Sequence, residues 1–386
     1  MSVVNLDYAA STPLREEARA AEQAFDASPL AGANPNSLHS LGRQAAAALE
    51  AARRDLVPTF GTEVRPSELV FTGGGTEAVA LGLMGLARGA REQDPRRNRL
   101  IVSAIEHDAV LDNLGALKAD GFVVDHIRPH RNGQIYPEDL EALLDTDVAV
   151  TAVMFANNET GVIQPIAELT KLAHRAGSLF FCDAIQGWLH APFDVNELGI
   201  DAASVCGHKI GGPVSSGVLY LRARTPIKPL LKGGGQERGL RPGTQDLRSI
   251  ISLAAAARAV AAHVSDDYQR LMKLSRELYE RLFVSDRIHA TVGDIDAIER
   301  LAGIVAITVD GFESEELILQ LDARGFAVSA ASACSSASLS ASHVLLAMGV
   351  PEQEALGSLR ISFDDRVCES DLIRFSEALL ELVGER

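Results

Sequence analysis

The sequence predicts an α/β protein in which a large, doubly wound mixed sheet forms one domain and a smaller α+β domain lies beside it. Short apolar runs alternate with helical patterns between residues 65 and 225, which is typical of a sheet with helices on both faces. Beyond residue 284 the pattern changes to short strands separated by helices. The length of 386 residues exceeds what one compact core holds and suits two packed domains.

Seven short runs are the candidate strands of the large sheet. Several of them are apolar on both faces, as expected for a parallel sheet that is covered by helices. In chain order they are ELVFTGG, RLIVSAIEH, FVVDHIR, VAVTAVMFANN, SLFFCDA, AASVCGH and SGVLYLR. The segment PIAELTKLAHRAG predicts a helix between two of these strands, since Pro165 suits its start and Gly177 its end.

The second half of the chain predicts a long helical stretch and then the smaller domain. The stretch runs from about residue 245 to 284, and its part IISLAAAARAVAAHV indicates a buried helix rather than a membrane span. The smaller domain is predicted from GIVAITVD, SEELILQLDARG, FAVSAAS, SLRISF and a last helix. We expect residues 15–260 to form the large domain, and residues 1–14 with 261–386 to form the small one.

Composition argues against several classes of protein. The formal net charge is −16 and no cluster of basic residues stands out, so we expect no nucleic-acid partner. The N-terminus lacks a basic segment followed by an apolar core, so we expect neither a signal peptide nor a membrane association. The four cysteines lie far apart without a CxxC pair, which argues against a metal site or disulfides and fits a reducing cytoplasm.

Polar residues follow five of the predicted strands at their carboxyl ends. Ligands of open α/β sheets bind beyond this edge, so we expect these residues to meet in one crevice. They are Gly74, Gly75, Thr76, Glu106, His107, Asn157, Asn158, Asp183, Gln186, His208 and Lys209.

The first of these groups lies in TGGGTEAVALG, a glycine turn that opens a helix. Free backbone amides at a helix start can hold a phosphate, and Thr76 adds a hydroxyl. No lysine follows the glycines, so the segment is not a Walker sequence, and it does not match GxGxxG. By itself the pattern is also typical of a plain strand-to-helix turn.

Asp183 and Lys209 point to a specific cofactor. Asp183 ends the apolar run SLFFCDA, where a buried carboxylate needs a partner, either a helix start or a cationic ring nitrogen. Lys209 lies in the glycine-padded turn SVCGHKIGG, and a lysine kept from water can form a Schiff base. With the phosphate cradle, these groups indicate pyridoxal phosphate (PLP), whose ring acts as an electron sink. His107 suits a ring stacked on this cofactor, or an ordinary strand-end histidine.

The chain resembles the class I (NifS-like) cysteine desulfurases, which are PLP enzymes of fold type I in the class V aminotransferase group. The resemblance covers nearly the whole chain, and the block GQERGLRPGT and the cysteine segment are its most specific parts. The motifs that carry it are DYAASTP, GGTEA, EHDAVL, NNETG, DAIQ, GHKIGGP, GQERGLRPGTQD, SACSSASLSASHVLLAMG and LRISF.

This resemblance implies a role for each residue around the cofactor ring. Lys209 is expected to bond the PLP aldehyde as a Schiff base and then to take the α-proton of the substrate. Asp183 would hold the pyridine nitrogen, Gln186 the ring hydroxyl, and His107 would stack on the ring. Asn158 would border both the cofactor and the substrate.

The resemblance also implies how the phosphate is held. The amide of Gly75, Thr76 and His208 would bind it, and Thr244 would reach the phosphate of the other subunit in a homodimer. The family usually has serine where Cys206 stands in this chain. A thiol is a weaker hydrogen-bond donor than a hydroxyl, so we expect Cys206 to weaken phosphate binding.

The substrate implied by the resemblance is L-cysteine. Asn158 and Arg360 would hold its carboxylate, because a guanidinium binds a carboxylate with two hydrogen bonds, and Asn34 would line the pocket. Cys334, in the small-residue run SAASACSSASLSAS, would accept the sulfur as a persulfide while L-alanine leaves. The sulfur would then pass to an acceptor protein, either an iron–sulfur cluster scaffold or a tRNA-thiolation protein.

Three other functions remain compatible with the sequence. A selenocysteine lyase or a class V aminotransferase would share the fold and the cofactor, although an aminotransferase would not need Cys334. A non-catalytic scaffold partner in sulfur assembly would keep the fold and the dimer. The presence of Lys209, Asp183, His107 and Cys334 argues against that loss of catalysis.

Overall fold

The computed structural model describes residues 3–330 and 341–384, so Cys334 lies outside the described residues. The α-helices of this part are α1 Glu16–Asp26, α2 Ser40–Leu56, α3 Gly75–Gln93, α4 Asp108–Leu111, α5 Leu114–Ala119, α6 Pro137–Leu143, α7 Ile166–Arg175, α8 Leu247–Ala261, α9 Val264–Leu282, α10 Ser314–Ala323, α11 His343–Ala347, α12 Glu352–Leu356 and α13 Glu369–Gly384. The strands are β1 Val4–Asn5, β2 Leu69–Thr72, β3 Arg99–Ser103, β4 Val123–Ile127, β5 Val148–Ala152, β6 Leu179–Asp183, β7 Ala202–Cys206, β8 Gly217–Leu221, β9 Ile288–Ala290, β10 Ile304–Val309, β11 Phe326–Ala327 and β12 Ser358–Ser362.

The large sheet has the strand order β2-β8-β7-β6-β5-β3-β4 within the described residues. Strand β8 runs antiparallel to β2 and β7, while the other neighbouring pairs are parallel. All seven predicted runs form strands of this sheet, which confirms the predicted α/β class with a mixed sheet. The parallel strands place their carboxyl ends at one edge, and the residues that follow them build the site.

The strands of the large sheet carry apolar side chains on both faces of the sheet. Phe180 joins the core under α2, α7 and α8, while the next residue, Phe181, joins the core under α3 on the opposite face. Successive side chains of a strand point to opposite faces, so helices on both sides are needed to bury them. This is why β5 and β7 are buried at every position.

The helical stretch predicted from about 245 to 284 is divided into two helices, α8 and α9, that meet at an angle of 67°. Helix α8 packs in the core of the large sheet, whereas α9 contributes Leu271, Leu278 and Leu282 to the core around the small sheet. The change of direction follows from these two different packing partners. Among the described residues no single helix is long and apolar enough to cross a membrane. Taken together, the bent pair α8 and α9 reaches that length and apolar composition.

The small sheet has the strand order β12-β10-β9, all antiparallel. Helices α9, α10 and α13 contribute to its apolar core. The N-terminal segment joins this part of the molecule, because β1 pairs in parallel with β11, with Val4 opposite Phe326. The segment after β1 then continues toward the edge of the large sheet, where Thr12 N donates to the carbonyl of His208 at 2.8 Å.

Candidate active site

A cavity of about 310 Å³ lies at the carboxyl edge of the large sheet. It receives residues that follow β2, β3, β5, β6 and β7, together with Arg360 from β12 of the small sheet. The predicted site residues that line it are Gly75, Thr76, His107, Asn158, Asp183, Gln186, Cys206, His208, Lys209 and Arg360. The parallel strands therefore bring together groups that are far apart in the sequence.

The start of α3 forms one wall of this cavity. Gly74 precedes the helix with a φ of 152°, a backbone conformation that favours glycine. A Cβ atom on Gly75 would lie 2.6 Å from Ile185 Cδ1 and 3.3 Å from Cys206 Cβ, so a larger residue here would force the Ile185 side chain to shift. The first amides of a 19-residue helix lack partners within the helix. They can hold an anion at this wall, as the glycine turn predicts.

Asp183, the last residue of β6, is buried on the floor of the cavity. One carboxylate oxygen, Oδ1, accepts hydrogen bonds from Ile185 N at 3.0 Å and Ser204 Oγ at 3.1 Å. Burial raises the pKa of this carboxyl, against the opposing effect of these donors and of His107 and Lys209. Asp183 forms no ion pair with another described residue, so a cationic ligand group would be its natural partner.

Gln186 adds an unsatisfied acceptor to the same wall. Its side chain is buried, and Oε1 has no hydrogen-bond partner among the described residues. A buried polar atom without a partner costs free energy, so the site fits a ligand that donates a hydrogen bond here. PLP carries a ring hydroxyl, which could donate to Gln186 Oε1, and a ring nitrogen whose protonated form would pair with Asp183.

Lys209 lies in the turn after β7 and is held by the N-terminal segment. Its Nζ donates to the carbonyl oxygens of Ala9 and, at 3.0 Å, Ala10. Thr12 Oγ1 donates to the carbonyl of Lys209 at 2.7 Å, and His190 Nε2 lies 3.0 Å from the same oxygen. Sequence reasoning missed these contacts, although the motif DYAASTP contains Ala9, Ala10 and Thr12.

The two histidines of the cavity differ in their surroundings. His107 caps α4, and its Nδ1 accepts a hydrogen bond from Ala109 N at 3.0 Å, which leaves Nε2 to carry the proton of the neutral ring. Burial, and then the charge of Lys209, lower the pKa of His208 to about 4. His208 is therefore neutral near pH 7, and a neutral imidazole can still donate one hydrogen bond to a phosphate.

Arg360 reaches the cavity from β12 and is nearly inaccessible, with 2% of its surface exposed. Its Nη1 donates to the carbonyl of Asn158 at 3.0 Å, and its Nη2 donates to Asp7 Oδ1 at 2.9 Å. The Nε atom is buried without a partner among the described residues. Sequence reasoning identified Arg360 and Asn158 but missed Asp7, which belongs to the motif DYAASTP.

Asn34 and Thr244 are not among the described residues that line the cavity. Both are exposed, and Asn34 Oδ1 accepts a hydrogen bond from Asn36 N at 2.9 Å. The residue after Thr244, Gln245, is buried, and its Nε2 donates to Glu237 Oε1 at 3.0 Å. The prediction for Asn34 as a pocket residue therefore has no support within one chain.

Two buried acids lie near the cavity: Glu106, which the sequence placed among the strand-end residues of the crevice, and Glu159, which sequence reasoning missed. Glu106 Oε1 accepts from Met154 N at 2.6 Å while Oε2 has no partner among the described residues, and burial raises its pKa well above the ordinary range. Glu159 accepts a hydrogen bond from Ser342 Oγ, and burial raises its pKa to about 7. Nothing in the local sequence pattern signals these pKa shifts, because burial causes them.

Cys206 lines the cavity beside Gly75, and burial raises the pKa of its thiol to about 12. The thiol is therefore neutral and not a nucleophile near pH 7. In the part of the chain that the structure describes, no cluster of three or more histidine, cysteine or acidic side chains could hold a metal.

Comparison with known proteins assigns the family. The family model of aminotransferase class V matches residues 4–375. The cysteine desulfurase IscS of Methanosarcina thermophila is 36% identical over 380 residues, which is 98% of this chain and 92% of the relative. A solved NifS-like protein superposes with a TM-score of 0.89 at 30% identity over the full length of both chains.

A further solved structure, of SspA in complex with cysteine, has a TM-score of 0.80 at 30% identity, over 93% of this chain and 98% of that one. These matches agree with the observed fold. The chain therefore belongs to the class V aminotransferase family, among the NifS-like cysteine desulfurases, which are PLP-dependent enzymes of fold type I.

Proposed function

We propose that the protein removes sulfur from L-cysteine with PLP as its cofactor, releasing L-alanine and keeping the sulfur as a persulfide on Cys334. One observation carries the proposal. A single cavity brings together an amine at Lys209, a buried carboxylate at Asp183, a helix start at Gly75 and a guanidinium at Arg360. These four groups match the aldehyde, ring nitrogen and phosphate of PLP and the carboxylate of an amino acid.

The residues that would hold the cofactor follow from this match. Asp183 and Gln186 would receive the ring nitrogen and the ring hydroxyl, and the start of α3 with Thr76 and His208 would receive the phosphate. PLP, when bound, supplies an aldehyde for an amine and a ring that withdraws electrons from the α-carbon of the substrate. His107, with its proton on Nε2, is placed beside these groups to stack and to exchange protons.

Lys209 has two tasks in this proposal, to bond the cofactor and to move a proton. Its Nζ is oriented by the carbonyl oxygens of Ala9 and Ala10. Hydrogen bonds to carbonyl oxygens fix the direction of the amine but add no opposite charge. When it is not bonded to the cofactor, Nζ would serve as the base that takes the α-proton of the substrate.

Arg360 and Asn158 would bind the carboxylate of L-cysteine. The guanidinium uses one N–H on Asn158 and one on Asp7, and each terminal nitrogen keeps a second N–H. These remaining donors suit a carboxylate. Binding there orients the α-carbon toward Lys209, which reduces the entropy lost in reaching the transition state.

Cys334 would complete the reaction as the sulfur acceptor. Its thiolate attacks the sulfur of the bound substrate, and the new S–S bond forms as the C–S bond breaks. The electron pair of the broken bond stays with the substrate carbon, which is protonated to give L-alanine. A thiol of the acceptor protein then receives the persulfide sulfur.

The proposal also covers the cellular compartment, the oligomeric state and the sulfur acceptor. We place the protein in the cytoplasm because its four cysteines lie far apart without a CxxC pair, which suits a reducing compartment. We place it in a homodimer in which the exposed Thr244 reaches the phosphate site of the other subunit. The sulfur acceptor would be an iron–sulfur scaffold or a tRNA-thiolation protein.

The test is to measure L-alanine and sulfide from L-cysteine with a thiol reductant, using protein purified with PLP. We expect equal amounts of both products over many turnovers, and Cys334→Ala should bind PLP and L-cysteine yet release no sulfide. The Lys209→Ala protein should lose the imine that borohydride reduces.

Three outcomes would contradict the proposal. Sulfide release by Cys334→Ala at the wild-type rate would exclude the persulfide step. A yellow protein that forms no alanine would point to a selenocysteine lyase or an aminotransferase. A colourless, inactive protein would favour a scaffold role.

A further inference from the structure

We propose that Asp7 is a positioning residue for recognition of the substrate carboxylate, acting through Arg360. The inference rests on the proposed function, because it assigns Arg360 to the carboxylate of an amino acid. Asp7 precedes the residues that hold Lys209, so one short segment would set both the carboxylate end and the amine end of the substrate.

The contact between Asp7 and Arg360 is the first observation. Asp7 Oδ1 accepts from Arg360 Nη2 at 2.9 Å, and the two side chains are 28% and 2% exposed. This is the only ion pair of Arg360 among the described residues. A guanidinium buried to this degree needs a charged partner, since an unpaired buried charge is strongly unfavourable. Asp7 supplies that partner.

The second observation is that the guanidinium is fixed from two sides. Asn158 O accepts from Nη1 at 3.0 Å, on the side of the large sheet, while Asp7 holds Nη2 from the N-terminal segment. The plane of a guanidinium is set once both terminal nitrogens are bound. Without Asp7, the group could rotate about its last bonds and its free donors would no longer point to one place.

The position of Asp7 is itself determined by the backbone. The residue pairs as an isolated parallel bridge with Ser362, two positions beyond Arg360 on β12. The next two residues continue this attachment, because Tyr8 N donates to Ser362 O at 3.2 Å and Ala9 N to Ser362 Oγ at 2.9 Å. Asp7 is therefore held beside Arg360 by main-chain contacts that do not depend on its own carboxylate.

The third observation links this segment to Lys209. The carbonyl oxygens of Ala9 and Ala10 accept from Lys209 Nζ, only two and three residues after Asp7. The separation between the guanidinium and the amine is thus set by the turn from Asp7 to Ala10, in which Ala10 N donates to Asp7 O at 3.1 Å. An α-amino acid, whose carboxylate and amine are one carbon apart, would fit both ends, whereas a simple amine would use only one.

The test compares two ligands that differ only in the carboxylate. L-Alanine and ethylamine are titrated into the PLP-loaded protein, and binding is read from the absorbance of the cofactor. We expect Asp7→Asn to weaken L-alanine binding about tenfold, as for loss of a charged hydrogen bond, and to leave ethylamine binding unchanged within about twofold. In turnover, KM for L-cysteine should rise about tenfold while kcat changes less than about threefold.

Two further variants separate positioning from folding. Asp7→Glu keeps the charge and should recover part of the L-alanine affinity. Asp26→Asn removes the carboxylate of an exposed ion pair with Arg248, outside the cavity, and should behave like the wild type. If Asp7→Asn does not fold, the two titrations are made on Asp7→Glu. Its longer side chain should still bind L-alanine more weakly than the wild type and leave ethylamine binding unchanged.

The results that would overturn the proposal are specific. If Asp7→Asn weakened the binding of L-alanine and of ethylamine equally, the substitution would disturb the site in general. If L-alanine binding were unchanged, Asp7 would not position Arg360. The titration needs no turnover, so it distinguishes this inference from the proposed desulfurase reaction. A wild-type protein that binds PLP but prefers ethylamine to L-alanine would overturn the role of Arg360 and this inference together.

Discussion

Asp183 and Ser204 lie opposite each other on the neighbouring strands β6 and β7, and Ser204 Oγ donates to Asp183 Oδ1 at 3.1 Å. The hydroxyl stabilises the charged form of a carboxyl whose pKa is raised by burial. A cationic ring nitrogen in the cavity would stabilise it much more, because opposite charges attract strongly where water is excluded.

The pair yields the first prediction. Asp183→Asn removes the negative charge without changing the shape of the side chain. We expect alanine formation to fall at least about 100-fold, as for about 3 kcal/mol of lost transition-state stabilisation. Ser204→Ala removes one hydrogen bond to a charge and should cost about tenfold or less. Initial rates at saturating PLP measure both effects, and an Asp183→Asn protein with wild-type activity would show that Asp183 does not hold the ring nitrogen.

Gly75 is the basis of the second prediction. A Cβ at this position would meet Ile185 Cδ1 at 2.6 Å and Cys206 Cβ at 3.3 Å. Ile185 would have to move, and it lines the same cavity. We therefore expect Gly75→Ala to weaken PLP binding about tenfold, through crowding of the amides that would hold the phosphate. Equilibrium dialysis or cofactor fluorescence would measure the dissociation constant.

A matched control exists in α5. Gly115 is helical and has no atom within 4 Å of an added Cβ. Gly115→Ala should therefore keep the wild-type PLP affinity and raise stability by up to about 1 kcal/mol, because alanine favours the helix. Equal PLP affinity of the Gly75→Ala and wild-type proteins would argue against a phosphate site at the start of α3.

Glu159 gives a prediction for the pH dependence of stability. Burial raises its pKa from 4.5 to about 7, against the hydrogen bond from Ser342 and the charge of Arg360. A carboxyl with a raised pKa stabilises the fold while it is protonated. This contribution is complete below the unfolded pKa of about 4.5 and is lost as the pH rises through about 7.

Glu159→Gln stays neutral at every pH and should abolish this loss. Relative to the wild type, the free energy of unfolding of the variant should rise by up to about 3 kcal/mol between about pH 5 and pH 8. The melting temperature, measured over this pH range, should rise accordingly. Glu16→Gln, at an exposed position of α1, serves as the control and should follow the wild type. A constant difference between Glu159→Gln and wild type over this range would contradict the assignment.

Much of the fold could be predicted because it is encoded in local patterns. The seven strands of the large sheet were identified from short apolar runs, since a strand buried on both faces has few polar positions. The boundary between α8 and α9 could not be predicted in this way. Both helices are rich in helix-forming residues, and the turn between them follows from two different cores.

The candidate site shows the same division. Polar residues at the ends of β3, β5, β6 and β7 could be assigned to one crevice because parallel strands end at the same edge. Their assembly in the cavity agrees with that expectation. Asp7 and Glu159 were not recognised as site groups. Their importance comes from burial and from contacts that no local spacing encodes.

The sequence by itself determined the class of fold, the strands and the set of groups that suit PLP, because periodicity and residue chemistry are local properties. Only the tertiary structure decided which of these groups touch. It joins Asp7 to Arg360 across 353 residues and Ala10 to Lys209 across 199 residues. The same packing excludes water from Asp183 and Glu159 and so shifts the pKa of each, which makes proton affinity a property of the folded chain.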